Sequence, residues 1–275
     1  MTLPGFIEYC AKQGLDGFDL LDPSGYAWLW TGVNGIEEAT RLGRENGISV
    51  AAYGCGNNFA KVDPAERQKQ VQYVKDAIGR ARDSGAQTIR VFGGYHQGTG
   101  GEAGVTKAKG LELVRECLEA CLPKAESCQV ILALENHGGL PGHSFESRAL
   151  VDYFETPWLK VTFDPANYLG NNMGEAEDPL RALAELKEDI AYVHLKDVWT
   201  VSDGRKPRTG PCVAGEGLTP LRQVIAGLVR SGYGGFCSLE YEAFEVVPEL
   251  EGVSTSFAFI RDAVENARFL SGTHA

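Results

Sequence analysis

The sequence of 275 residues predicts an α/β fold, a parallel (β/α)8-type barrel with the first β-strand missing from this chain. Three observations carry this. Seven short apolar runs are near-continuous rather than alternating, the pattern of strands buried on both faces. Segments of helical period stand between them, so strand and helix alternate along the chain as βαβ units do. Four consecutive runs end on a side chain that can ionise, and in a closed parallel barrel those ends share one rim.

In chain order, the spacing predicts a helix over 3–14, a strand over 18–21, a helix over 35–46 and a strand over 48–53. The helix over 64–84 is the best defined. Asp63 can cap it, Pro64 suits its first position and Glu66 stands near where a capping-box acid would, while Val71, Val74, Ile78 and Ala81 form one apolar stripe. A strand over 88–92, a helix over 105–127, a strand over 130–135, a helix over 145–156 and a strand over 160–164 follow. Asp178-Pro179 and Thr219-Pro220 repeat the capped-proline opening, and behind the second Leu221, Val224, Ile225 and Leu228 make a buried face. Strands over 192–196 and 236–241 and a helix over 250–270 complete the pattern. The chain opens on a helix where a barrel opens on a strand. Either the first strand is missing or another segment takes its place, and the former is preferred. No linker, low-complexity tract or charge block interrupts residues 1–275, so one domain is expected.

Composition excludes several classes. Lys and Arg number 26 against 37 Asp and Glu, a net charge of −11, which does not attract a phosphate backbone. No apolar run approaches the roughly 18 residues of a membrane span, and Met1-Thr2-Leu3-Pro4 has no basic region of a signal peptide. Seven Cys (10, 55, 117, 121, 128, 212 and 237) include no CxxC and are expected to be reduced thiols in a cytoplasmic protein, with Cys117 and Cys121 a packed helical pair. There is no GxGxxG opening a helix after a strand, no GxxxxGK[ST] and no GxSxG, so nucleotide sites of those types and a serine-hydrolase elbow find no support.

The chemistry lies at the strand ends. The run 130–134 ends in Glu135-Asn136-His137-Gly138-Gly139, the run 160–163 in Asp164-Pro165-Ala166-Asn167, the run 191–193 in His194-Leu195-Lys196-Asp197, and the run 236–239 in Glu240-Tyr241-Glu242. One acid at a strand end usually caps the next helix or pairs with a Lys. Four in succession point instead to a divalent ion held by Glu135, Asp164, His194 and Glu240, because clustered carboxylates need a compensating cation. Three oxygens and one nitrogen suit Mn²⁺ first, then Mg²⁺, Co²⁺ or Zn²⁺. Around these, His137, Lys196, Asp197 and His96 are candidate substrate-binding residues. Arg205 is another, in a basic loop with Lys206 and Arg208. Trp28, Trp30, Tyr53, Asn57, Asn58 and Phe59 follow strands at the same rim, and His143 and His274 read as surface residues.

These motifs, with Gly215-Glu216-Gly217 and Gly17-Phe18-Asp19-Leu20-Leu21, resemble the xylose isomerase-like TIM-barrel superfamily, in particular its sugar (phosphate) isomerase/epimerase branch. The resemblance spans nearly the whole chain and lacks the first strand. It implies that Glu135, Asp164, His194 and Glu240 bind the metal, that Glu135 and Glu240 are the catalytic acid and base on opposite faces of a bound ketose, and that the protein is an oligomer, a dimer or larger. It also implies a small-molecule sugar or polyol substrate. Family epimerases commonly carry His three residues after the strand-end Asp. Here Asn167 stands there and can bind a substrate oxygen but cannot titrate. A keto-polyol dehydratase or a 3-keto-glycoside lyase begins with the same proton abstraction, and a non-catalytic sugar-binding subunit would keep the same fold. A nuclease of the endonuclease IV type shares the barrel, but its three-zinc cluster needs more His than the 5 present.

Overall fold

The computed structural model describes residues 1–170, 176–201 and 208–272. Helix α1 (Leu3–Lys12) leads into strand β1 (Gly17–Leu21), the short α2 (Pro23–Tyr26), α3 (Ile36–Glu45), β2 (Ser49–Gly54), α4 (Pro64–Ser84) and β3 (Thr88–Phe92). Then come α5 (Lys107–Cys128), β4 (Ile131–Glu135), α6 (Ser144–Phe154), β5 (Leu159–Phe163), α7 (Pro179–Leu186) and β6 (Ile190–Leu195). A hairpin, β7 (Asp197–Val201) and β8 (Arg208–Cys212), separates β6 from α8 (Leu221–Ser231), β9 (Cys237–Leu239) and α9 (Glu249–Ser271).

Seven strands form one parallel sheet in the order β1-β2-β3-β4-β5-β6-β9. The first and last members are not hydrogen-bonded to each other, so the barrel is unsealed where an eighth strand would run. Across that opening Asp19 accepts hydrogen bonds from the hydroxyls of Ser238, at 2.8 Å, and Tyr192. The hairpin does not fill the opening; it is a separate antiparallel sheet. The sequence pattern predicts no strand over 197–201, because Asp197-Val-Trp-Thr-Val follows the end of β6 with only Lys196 between them.

Local chemistry sets the helix starts. The Asp63 carboxylate accepts from the backbone N–H groups of Ala65 and Glu66 at 2.7 and 3.2 Å, Pro64 opens α4, and Gly85 ends it at φ 79°. Asp178 caps α7 through Leu180 at 2.9 Å. The expected start of α8 is corrected: Pro220 occupies the cap position with no side-chain cap hydrogen bond. The Thr219 hydroxyl has no partner, and its N–H is drawn to Asp197 at 3.0 Å.

Helices cover the outside of the sheet, and two apolar clusters fill the layer between, one around β1 to β4 and one around β5, β6 and α7 to α9. Inside, Ala51, Ala52 and Ala133 leave room for the fully buried Tyr192 ring. Successive inward positions lie two residues apart along a strand. The layer containing Ala133, Thr162, Tyr192 and Ser238 is therefore the floor beneath Glu135, Asp164, His194 and Glu240. Among the described residues all seven Cys are free thiols, and Cys117 and Cys121 are buried on α5. No helix among them is long and apolar enough to cross a membrane.

Candidate metal centre

Glu135 is the last residue of β4, Asp164 follows β5, His194 lies near the end of β6, and Glu240 follows β9. One donor atom from each lies within 4.8 Å of the others. These are the four residues the sequence singled out, on four strands adjacent in the sheet.

The second layer fixes each one. The Asp164 Oδ1 accepts from the backbone N–H of Ala166 and Asn167 at 2.9 and 3.1 Å, which turns Oδ2 inward. Asn136 ties β4 to β5: its amide donates to the Asp164 carbonyl and accepts from the Asp164 N–H, both at 2.9 Å. Arg90, buried on β3, places Nε 3.4 Å from Glu135 Oε2, donates from Nη1 to the Cys55 carbonyl at 2.8 Å, and lies 4.0 Å from the centre of the Phe92 ring. Asn167 donates to Glu135 Oε1 at 3.2 Å. His194 Nδ1 stands 3.5 Å from Glu135 Oε1 and 3.4 Å from Glu240 Oε2. Lys196, only 3% exposed, sets its ammonium 3.0 Å from Asp164, 2.9 Å from Glu240 and 3.5 Å from Glu242.

The charges perturb one another strongly. Burial opposes the carboxylate at Glu135, but His194 and Arg90 outweigh it and pull its pKa down to about 2. Burial likewise opposes ionisation of Glu240, and Lys196 with His194 hold it well below the usual range. Asp164 goes the other way: burial raises it to about 6, with Glu240 and Glu135 adding to the rise against Lys196. Burial disfavours the His194 imidazolium, yet Glu135 and Glu240 raise it well above an ordinary His.

With His194 neutral, as a metal ligand must be, four carboxylates (Glu135, Asp164, Glu240, Glu242) against Arg90 and Lys196 leave two uncompensated negative charges, which one dication would neutralise. Glu135 Oε2, Asp164 Oδ2 and His194 Nδ1 are buried with ion-pair neighbours at 3.0–3.5 Å but no well-formed hydrogen bond, and buried polar atoms in that state call for an explanation such as an ion. The donor set therefore fits a divalent cation.

The other expected residues fall out differently. His137 lines the cavity above the cluster, its ring tilted against Phe92 at 4.4 Å and edge-on to Tyr95 at 5.8 Å, and burial lowers its pKa. Asn167 and Lys196 are in the cluster. Asp197 does not line the cavity: both its oxygens are taken by backbone N–H groups, Val198 and Thr219 on one and Gly215 and Gly217 on the other, at 2.8–3.0 Å. His96 does not line the cavity; its Nδ1 accepts from the Gly98 N–H at 3.1 Å and it caps a single turn. Arg205 and Lys206 lie outside the described residues, as do the Arg208 side chain and His274. His143 is a correction: it is partly buried at the start of α6, 2.9 Å from the Lys107 ammonium, rather than a surface residue. Tyr53 and Phe59 are core, while Trp28 and Trp30 do line the cavity. The sequence reading missed Arg90 and Asn136. The signal for Arg90 was present, a lone cation inside the apolar run Thr88-Ile-Arg-Val-Phe.

Chain path and site together define a class: a parallel α/β barrel with a carboxylate–imidazole cluster at the C-terminal rim of its strands. The chain belongs to the xylose isomerase-like TIM barrel family, whose profile matches residues 7–263. Among solved structures it is similar to an L-ribulose 3-epimerase (17% identity, TM-score 0.76, 98% of this chain and 91% of that one). It is also similar to the 3-keto-D-glucoside 4-epimerase YcjR of E. coli (15% identity, TM-score 0.71, 98% and 94%). The uncharacterized protein YihM of Escherichia coli (strain K12) is 26% identical over 159 residues, 58% of this chain and 44% of that protein, so the match spans less than half of that relative.

Proposed function

We propose that this protein is a divalent-metal-dependent sugar isomerase or epimerase that removes a proton next to the carbonyl of a ketose or keto-polyol and returns it by way of an enediolate. The observation that carries this is the convergence of donor atoms of Glu135, Asp164, His194 and Glu240 within 4.8 Å of one another. Three oxygens and one nitrogen favour Mn²⁺, with Mg²⁺, Co²⁺ or Zn²⁺ as substitutes. A bound dication polarises a carbonyl and a neighbouring hydroxyl and offsets charge that develops on them.

Glu135 and Glu240 stand three strands apart in the sheet order, and both are held as carboxylates. One takes the proton and the other offers a return path from across the site. Arg90 and Asn167 keep Glu135 from swinging. The Asn167 Oδ1 is buried and unpartnered, so it can accept a hydrogen bond from a substrate hydroxyl. His137 Nδ1 is unpartnered as well and supplies a further polar contact from the rim. Similar solved structures with sugar epimerase names agree with this assignment.

The test is solvent deuterium exchange into a panel of ketoses and keto-polyols in Mn²⁺ buffer, read by NMR, with metal analysis beside it. Exchange in the parent protein that is lost in Glu135→Gln and Glu240→Gln, with the fold intact by circular dichroism, is the expected result. Stoichiometric metal absent from the parent, or exchange undiminished in both variants, would refute the reading.

A further inference from the structure

Arg90 stands on β3, which with β4 lies in the middle of the sheet order, away from the unsealed side of the barrel. It pairs in register with Gly54 of β2 and Ala133 of β4. Both are small, and the guanidinium passes them to reach Glu135, two residues further along β4. Nε faces Glu135 Oε2 at 3.4 Å, Nη1 donates to the Cys55 carbonyl at 2.8 Å, and Cζ stands 4.0 Å from the centre of the Phe92 ring. These contacts fix the plane of the group. Nη2 makes no hydrogen bond among the described residues and is not one of the buried atoms in that state. It therefore opens on the cavity, which Arg90, Gly54, Phe92 and His137 line.

Gly54 keeps that edge clear. A Cβ there would stand 3.0 Å from Nη2 and 2.7 Å from Leu21 Cδ2, so a side chain at this position would press on the guanidinium. Lys196, the other cation of the site, is ringed by Asp164, Glu240 and Glu242. Glu135 is itself divided between two settings. Oε1 faces His194 and Asn167, and Oε2 faces Arg90. When Glu135 takes a proton its negative charge passes to the substrate, and the cation that paired with the first charge has one edge left for the second.

We propose that Arg90 is a catalytic residue whose Nη2 donates a hydrogen bond to the substrate oxygen that gains charge as Glu135 removes the neighbouring proton. This rests on the reading of Glu135 as a base of the reaction and adds the group that receives the charge. The C–H proton passes to Glu135, the C–H electron pair becomes the C=C bond of the enediolate, and the carbonyl π pair moves onto its oxygen, which accepts from Nη2. Return of the proton reverses each shift. Negative charge moves from one edge of a fixed guanidinium to another, so its stabilisation needs little rearrangement. A planar fork can hold the Cys55 carbonyl, Glu135 and a substrate oxygen at once, which a point-like ammonium cannot.

Calorimetric titration in Mn²⁺ buffer with tetrono-, pentono- and hexonohydroxamates, which carry the charge of an enediolate, and with the matching neutral aldonamides tests the contact without turnover. The parent should bind at least one hydroxamate more tightly than its amide. Gly54→Ala, which crowds Nη2 from the neighbouring strand, and Arg90→Gln should each weaken that hydroxamate roughly 10- to 100-fold while the amide holds within about threefold. Proton exchange into ketoses should fall about 10²–10³-fold in the same variants. Circular dichroism checks the fold, and Gly54→Ala alone carries the test if Arg90→Gln does not fold. No hydroxamate binding in the parent, equal losses for hydroxamate and amide, or undiminished hydroxamate affinity in the variants overturns the inference. Exchange in the parent that both variants retain also removes Arg90 and leaves the proton-transfer reading standing. A parent without exchange whose hydroxamate affinity depends on Arg90 leaves the anion contact standing and removes that reading.

Discussion

Replacing Lys196 with Met removes the ammonium that now sits among three carboxylates while keeping the length of the side chain. Of its partners, Asp164 is fully buried, whereas the Glu240 and Glu242 side chains are 35% and 44% exposed. Breaking a buried pair by deleting one partner costs about 3–5 kcal/mol, and that figure applies to the Asp164 contact alone. The two exposed contacts add at most about 1 kcal/mol each. The variant in EDTA should therefore unfold about 3–5 kcal/mol more easily, a drop of on the order of 10 °C in Tm for a chain of this size. With His194 neutral, it also leaves the rim with three uncompensated negative charges in place of two. A dication should then stabilise the variant more than the parent; saturation at a hundred times Kd recovers about 2.7 kcal/mol. Urea unfolding with EDTA and with Mn²⁺, on both proteins, measures all four quantities. Equal stability of variant and parent in EDTA, or a smaller Mn²⁺ gain in the variant, would refute the electrostatic account of the site.

Glu135→Gln and Glu240→Gln should each slow proton exchange by about 10²–10⁴-fold, the range for a positioned acid or base, as read by NMR. Asn136→Ala removes two hydrogen bonds that seat Asp164, and metal affinity by titration should fall about 10- to 100-fold, as for other groups that orient ligands. Metal affinity should rise with pH. The folded pKa of His194 is raised, so in the metal-free protein its contribution to stability is full below its unfolded pKa of about 6.5 and is lost as pH climbs through the raised value. A dication must displace that proton, and calorimetry in buffers of different ionisation enthalpy should detect its release. Affinity independent of pH would remove His194 from the ligand set.

The strand order and the four donors were legible because both follow from local signals: apolar runs without alternation, and an ionisable residue where each run stops. The helix over 64–84 matches α4 because Asp63, Pro64 and Gly85 mark its ends by backbone geometry alone. What stayed hidden was relational. Asp197 looked like a site residue by adjacency to His194 and Lys196, yet successive strand residues face opposite ways, and its carboxylate finds four amides instead. His96 stands at a strand end as Glu135 does, but its ring turns back on its own loop. Arg90 was legible as a lone cation in an apolar strand, but its partner lies on another strand 45 residues along the chain, a pairing that only the parallel register of β3 with β4 reveals.

That single Asp197 carboxylate roots the hairpin at Val198, the Gly215–Gly217 turn and the approach to α8 at Thr219 in one knot. Its peptide neighbour is Lys196. The anchor of the hairpin thus stands one peptide bond from the buried ammonium, and a substitution that loosens Asp197 acts on the backbone that carries Lys196.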